Sequence, residues 1–165
     1  MAIKSKIDGN SRISLSDDQL FDQSTANASG LDSTSGNTFV GYLAGQSVDD
    51  GSINNTFIGH GVGDATLADA TSNVGLGAGA LTALTSGDEN IAIGKDAGKA
   101  LLAGAENTIV GTAAGDALTS GGGNVIIGDG AGGTTTDVDS AVIIGRSAAA
   151  DGNVTSAADG TVLVG

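Results

Sequence analysis

His60 is the only histidine in a chain that has no cysteine, so nucleophilic or metal chemistry built on imidazole or thiolate has one residue to start from. A catalytic triad or a metal site needs further ligands at fixed spacing, and none flanks His60. The acid pairs Asp49-Asp50 and Asp88-Glu89 stand in turn-like sequence and offer weak calcium ligation at most; solvated turn charge is the simpler reading. Gly128-Asp129-Gly130-Ala131-Gly132-Gly133 has the glycine spacing of a dinucleotide-binding loop, and Gly75-Leu76-Gly77-Ala78-Gly79 has part of it. Such a loop must open a helix whose N-terminus meets the pyrophosphate, whereas Thr134-Thr135-Thr136-Asp137-Val138-Asp139 is a poor helix former. Glycoside hydrolysis needs a carboxylate pair whose placing depends on the grooves between chains, and the sequence gives it little support. The expectation is a protein that is not an enzyme, with no catalytic residue, cofactor or metal.

The composition favours a repetitive architecture. Of 165 residues, 29 are glycine, none is proline or cysteine, and aromatics make up 2%. Collagen is excluded, because it needs glycine at every third position and abundant proline. With 39% hydrophobic residues and a mean hydropathy of +0.15 the chain has something to bury. The large apolar residues are 12 Leu, 12 Ile, 11 Val and 3 Phe, beside 25 Ala, which suits a narrow core repeated many times. A net charge of -13 repels phosphate backbones and anionic headgroups, so neither nucleic acid nor membrane insertion is expected. The N-terminal residues 1–6 lead into polar sequence with no apolar stretch, which predicts synthesis in the cytoplasm without a signal peptide.

One frame recurs along the chain. Asn37-Thr38-Phe39-Val40-Gly41 is repeated as Asn55 to Gly59, Asn73 to Gly77, Asn90 to Gly94, Asn107 to Gly111, Asn124 to Gly128, Ala141 to Gly145 and Thr161 to Gly165. The anchor glycines Gly41, Gly59, Gly77, Gly94, Gly111, Gly128, Gly145 and Gly165 are spaced by 18, 18, 17, 17, 17, 17 and 20 residues. Short apolar runs bounded by Asn and Gly are strands. A period of 17 to 18 is one turn of a parallel β-solenoid, or β-roll, with two short strands and two turns per coil, stacked about 4.8 Å apart. Two domains are expected: an attachment segment and linker over 1–36, and eight coils over 37–165.

The columns of the repeat give a cross-section. The residue before each anchor, Val40, Ile58, Leu76, Ile93, Val110, Ile127, Ile144 and Val164, is aliphatic throughout and is expected to face the core, together with the column from Thr38 to Val162. The alternate column, Phe39, Phe57, Gly75, Ala92, Ile109, Ile126, Ile143 and Leu163, then lies on the opposite face. Strands apolar on both faces are covered on both, so Phe39, Phe57, Ile109, Ile126, Ile143 and Leu163 are expected at the interface of a homotrimer. Small residues and glycines after the anchors, such as Ala44-Gly45 and Ala97-Gly98, suit a corner with positive φ. The asparagines at 37, 55, 73, 90, 107 and 124 can stack as a ladder that lapses at Ala141 and Thr161, although turn chemistry alone also accounts for Asn there. Tyr42 and His60 fall in an outward column on adjacent coils and form a candidate surface contact. Threonine ladders can bind ice, but only Thr38, Thr56 and Thr108 occupy that column and it is expected to point inward.

The units Asn37-Thr38-Phe39-Val40-Gly41-Tyr42-Leu43-Ala44-Gly45, Asn90-Ile91-Ala92-Ile93-Gly94-Lys95-Asp96-Ala97-Gly98 and Asn107-Thr108-Ile109-Val110-Gly111-Thr112-Ala113-Ala114-Gly115 resemble repeats of bacteriophage tail-fibre and related virion proteins. They are also similar to the head repeats of trimeric autotransporter adhesins. The resemblance covers 37–165 and implies a trimeric β-solenoid that displays a surface for attachment; it carries over no binding residue. An adhesin would add a signal peptide, a coiled-coil stalk and a membrane barrel, which this sequence does not contain. The resemblance therefore implies a short structural protein of a virion, a tail fibre or capsid decoration. Residues 1–36 would dock on other virion proteins, and the rod would meet a host receptor. The competing reading is a monomeric solenoid binding ions, ice or a small ligand, or an adhesin head fragment.

Overall fold

The computed structural model describes residues 5–8, 10–13, 36–49, 51–150, 152, 154 and 159–165. The N-terminal attachment segment expected over 1–36 lies outside these residues, apart from Gly36 and two short strands. Those strands, β1 (Ser5–Asp8) and β2 (Asn10–Ile13), form an antiparallel hairpin with Ser5 opposite Ile13.

The rest is a β-solenoid without helices. Each Asn-to-Gly frame forms one three-residue strand: β3 (Thr38–Val40), β5 (Thr56–Ile58), β7 (Val74–Leu76), β8 (Ile91–Ile93), β9 (Thr108–Val110), β10 (Val125–Ile127), β11 (Val142–Ile144) and β12 (Val162–Val164). They stack as one parallel eight-stranded sheet in chain order, and equivalent residues pair from coil to coil, Phe39 with Phe57 and Ile126 with Ile143. The predicted second strand is present, among the described residues, only in the first two coils, as β4 (Ser47–Val48) and β6 (Thr66–Leu67). Elsewhere the return side is a stack of turns, whose amides still bond one coil up, as Leu102 does to Thr119.

The side chains face the opposite way to the expectation. The middle residue of each three-residue strand from β3 to β11 is buried and its neighbours are not. Phe39, Phe57, Ala92, Ile109, Ile126 and Ile143 belong to the chain's own core, and Leu163 packs against it. They are therefore not available as an interface between chains. The strand pleat fixes which residues share a face, but two apolar columns leave open which face is inside. What decides it is packing at the corner. The Phe39 and Phe57 rings stack 5.3 Å apart and lie where a side chain on Gly45 or Gly63 would have to go. Where the core column shrinks to Gly75 and Ala92, the corner column grows to the buried Leu81, whose methyls reach the space beside Gly75 and the next corner glycine, Gly98. A second core column runs down the return side as Val48, Leu67, Leu84, Leu101 and Leu118, all buried. Thr135 continues it with a buried hydroxyl that finds no partner.

Two further columns hold the coils at their pitch. At the anchor glycines from Gly41 to Gly145 φ lies between 126° and 139°, and a Cβ at Gly77 would sit 2.6 Å from the Gly94 carbonyl oxygen. Only glycine permits both the angle and the approach. Inside, the asparagines form an unbroken ladder. Asn90 donates from its backbone N–H and its side-chain amide to Asn73 Oδ1, each at 3.0 Å, and its second amide hydrogen goes to the Gly104 carbonyl at 2.8 Å. Asn107 repeats this onto Asn90, and Asn124 onto Asn107. Both lone pairs and both amide hydrogens of a buried side chain are thus satisfied. At Ala141 the side chains stop, but its N–H still bonds Asn124 Oδ1 at 2.9 Å. Replacing Asn90 with Ala leaves the Asn107 amides and the Gly104 carbonyl buried without partners, at about 1–3 kcal/mol each. We expect Asn90→Ala to lower unfolding stability by about 3 kcal/mol or more in urea titrations, and Thr135→Val to raise it.

Candidate functional site

The largest feature left over by the fold is the outer surface of the eight-stranded sheet. It presents the first and third residues of each strand: Thr38 and Val40, Thr56 and Ile58, Val74 and Leu76, Ile91 and Ile93, Thr108 and Val110, Val125 and Ile127, Val142 and Ile144, Val162 and Val164. Thirteen of the sixteen are aliphatic and three are threonine, and none is charged. Ile58, Leu76, Ile91, Ile93, Ile127 and Ile144 are between 36% and 42% exposed, which is large for side chains of this kind in a regular element. Seven strand spacings make the face about 34 Å long, and the two columns stand about 6.6 Å apart. The threonine column, expected inside, is also on this face.

Gly41 to Gly145 share one backbone conformation and stack on each other, so the strands before them end in register along one edge of the face. The Tyr42 and His60 rings stack at 5.5 Å on adjacent coils just beyond the sheet, so the structure brings this pair together as expected. Tyr42 is 65% exposed. Gly128 and Gly132 take the anchor and corner positions of their coil. Among the described residues no three of His, Asp and Glu converge as metal ligands would.

Charge lies on the turns. Asp49 accepts hydrogen bonds from the Ser52 hydroxyl at 2.7 Å and the Asp69 amide at 3.1 Å, tying the first coil to the second. The Ser52 hydroxyl, more than any other group, holds the Asp49 carboxyl below its ordinary range. Asp96 is likewise lowered, first by its hydrogen bond from Lys95, whose ammonium lies 2.8 Å away and is raised in turn by Asp96. Asp88 accepts from the Thr71 amide and hydroxyl at 2.7 and 2.9 Å, and Asp139 from the Gly122 amide at 2.6 Å. In the sequence the residues of the aliphatic face read as interior, because both columns of each strand are apolar. The change from Phe with Gly at the corner to Gly75 with Leu81 was the signal that would have reversed the assignment.

Comparison with protein-family models, with curated proteins and with solved structures finds no match for the chain.

The depressed carboxyls carry a pH dependence of definite sign. A carboxyl whose folded value lies below its unfolded one, about 3.9 for Asp, stabilises the fold above that value, and the contribution is lost as pH falls through the lower folded value. Melting temperatures of the wild type should therefore fall on acidification below about pH 4, and Asp49→Asn should flatten that limb. A variant with the wild-type slope would remove Asp49 from the account.

Proposed function

We propose that the protein is a structural rod that assembles with copies of itself through the outer sheet face, as a homotrimer, and serves as a short virion fibre or decoration protein that displays its remaining surface for attachment. The observation that carries the assembly is the sheet face itself. A solvated sheet normally turns polar residues to water, yet here no charge interrupts sixteen outward positions of a chain with net charge -13. A continuous aliphatic surface of this length marks an interaction site. A second copy of the same face is the simplest partner, since it matches the first in shape, spacing and polarity. Both strand faces are apolar whichever column lies inside, and that is the ground for expecting the outer one to be covered. The virion setting draws on the resemblance of the Asn-to-Gly repeats to phage fibre proteins, as does the docking of residues 1–36 on other virion proteins.

The outward Thr38, Thr56 and Thr108 give a second reading some footing, a monomeric solenoid that orders water or ice on a flat sheet. Light scattering on the full chain separates the two. We expect a mass near 47 kDa, three times 15.7 kDa, for the wild type. Ile93→Lys with Ile127→Lys should give single chains with an unchanged far-ultraviolet spectrum. Phe57→Asp, by contrast, buries a charge in the core and should unfold the chain rather than separate copies. A wild-type mass near 15.7 kDa, with ice crystals reshaped by the protein, would favour the second reading.

A further inference from the structure

The aliphatic face is bordered by two rims of unlike charge. The upstream rim is made by the two residues before each Asn-column position, and it holds Asp88, Glu89, Glu106, Asp139 and Asp159 with no base. The downstream rim is made by the two residues after each anchor glycine. It holds Lys95 and Arg146 with Asp96 and Asp129, so it carries no net charge. Glu89, Lys95, Asp139 and Arg146 are all exposed. The bases also stand at the same levels of the rod as the acids across the sheet. Asp88 and Glu89 lead into the fourth coil, whose strand Lys95 follows, and Asp139 leads into the seventh, whose strand Arg146 follows.

This pattern constrains how two such faces can meet. Copies related by rotation about the long axis of the rod keep every coil at its own level, and the downstream rim of one sheet then meets the upstream rim of the next. Copies related by a two-fold axis across the rod run in opposite directions and set acidic rim against acidic rim. Like charges so placed are costly, and rim complementarity fixes register.

Resting on the self-association proposed above, we infer that the copies pack with their rods parallel and in register, with Lys95 against Asp88 and Glu89 of the neighbouring copy and Arg146 against its Asp139. The groups have bonding capacity to spare. Lys95 gives one of its three ammonium hydrogens to Asp96. The bonds from Thr71 and Gly122 go to Oδ1 of Asp88 and of Asp139. The same rule holds for a trimer and for a parallel pair, so the inference concerns polarity and register and not copy number.

Two measurements on the full chain test it. The chain has no cysteine of its own, so Asp139→Cys with Arg146→Cys introduces the only thiols. These positions lie on opposite rims of one sheet, beyond the Cα reach of about 7 Å that a disulfide within one chain requires. Oxidation should link the copies covalently into closed oligomers. In low salt, Lys95→Glu with Arg146→Glu should weaken association about tenfold or more by sedimentation, and adding Asp88→Lys, Glu89→Lys and Asp139→Lys should restore it. A wild type that assembles, but whose cysteine variant does not cross-link and whose rim reversals leave association unchanged, would overturn parallel packing while leaving self-association standing. A wild type that sediments as single chains would overturn both.

Discussion

The stacking of like on like at the pitch of a β-sheet governs this protein. Once coils lie about 4.8 Å apart, every residue has its own equivalent as its nearest neighbour above and below. Few side chains tolerate that in the interior. Asparagine does, because its amide both donates and accepts, so that Asn90 bonds Asn73 below and is bonded by Asn107 above while its remaining hydrogen closes its own coil onto Gly104. Aspartate would stack charge on charge and lacks the donor, and an aliphatic residue would leave the strand-leading amides unpaired. The anchor glycines answer the same constraint in the backbone, where each Cβ would fall on the carbonyl of the next anchor. The repeat in the sequence is therefore the repeat of a spacing, and the columns are conserved from coil to coil because the pitch is.

That origin explains which parts of the fold were legible. The glycine spacing and the Asn-bounded apolar runs led directly to a parallel solenoid, since both follow from the pitch. The facing of the strands did not, because pitch constrains inward and outward columns equally and here both are apolar. Its trace lay in compensation between columns: Phe39 and Phe57 with glycine at the corner, Gly75 with Leu81. The return side was the least readable part. Its Leu column starts out of step, with 19 residues from Val48 to Leu67 and 17 from Leu67 to Leu84, and β-pairing there lapses after β6 into turns bonded across coils.

The same economy shapes the surface. A strand of three residues has one inward and two outward positions, so a solenoid with such strands owns a sheet only two columns wide. Placing charge there would cost the core nothing, yet the charge of the chain is gathered on the turns, where Asp49, Asp88 and Asp139 also serve as acceptors for backbone amides of neighbouring coils. Uncharged, mainly β-branched residues in both outward columns favour the strands and avoid ladders of like charge at the pitch of the sheet, and the same choice leaves an aliphatic face on the outside.

Inward columns are fixed by packing, the Asn and Gly columns by the pitch, and the outward sheet columns by their common apolar character. The column that follows the anchor glycine escapes all three demands and varies in residue type, as Tyr42, His60, Ala78, Lys95, Thr112, Asp129 and Arg146, with Lys95 and Arg146 the two bases assigned above to the contact between copies. It runs the length of the rod along the downstream rim and begins with the stacked Tyr42 and His60 rings. Because no core, pitch or sheet contact fixes this column, its residues can change one at a time without disturbing the coils that carry them.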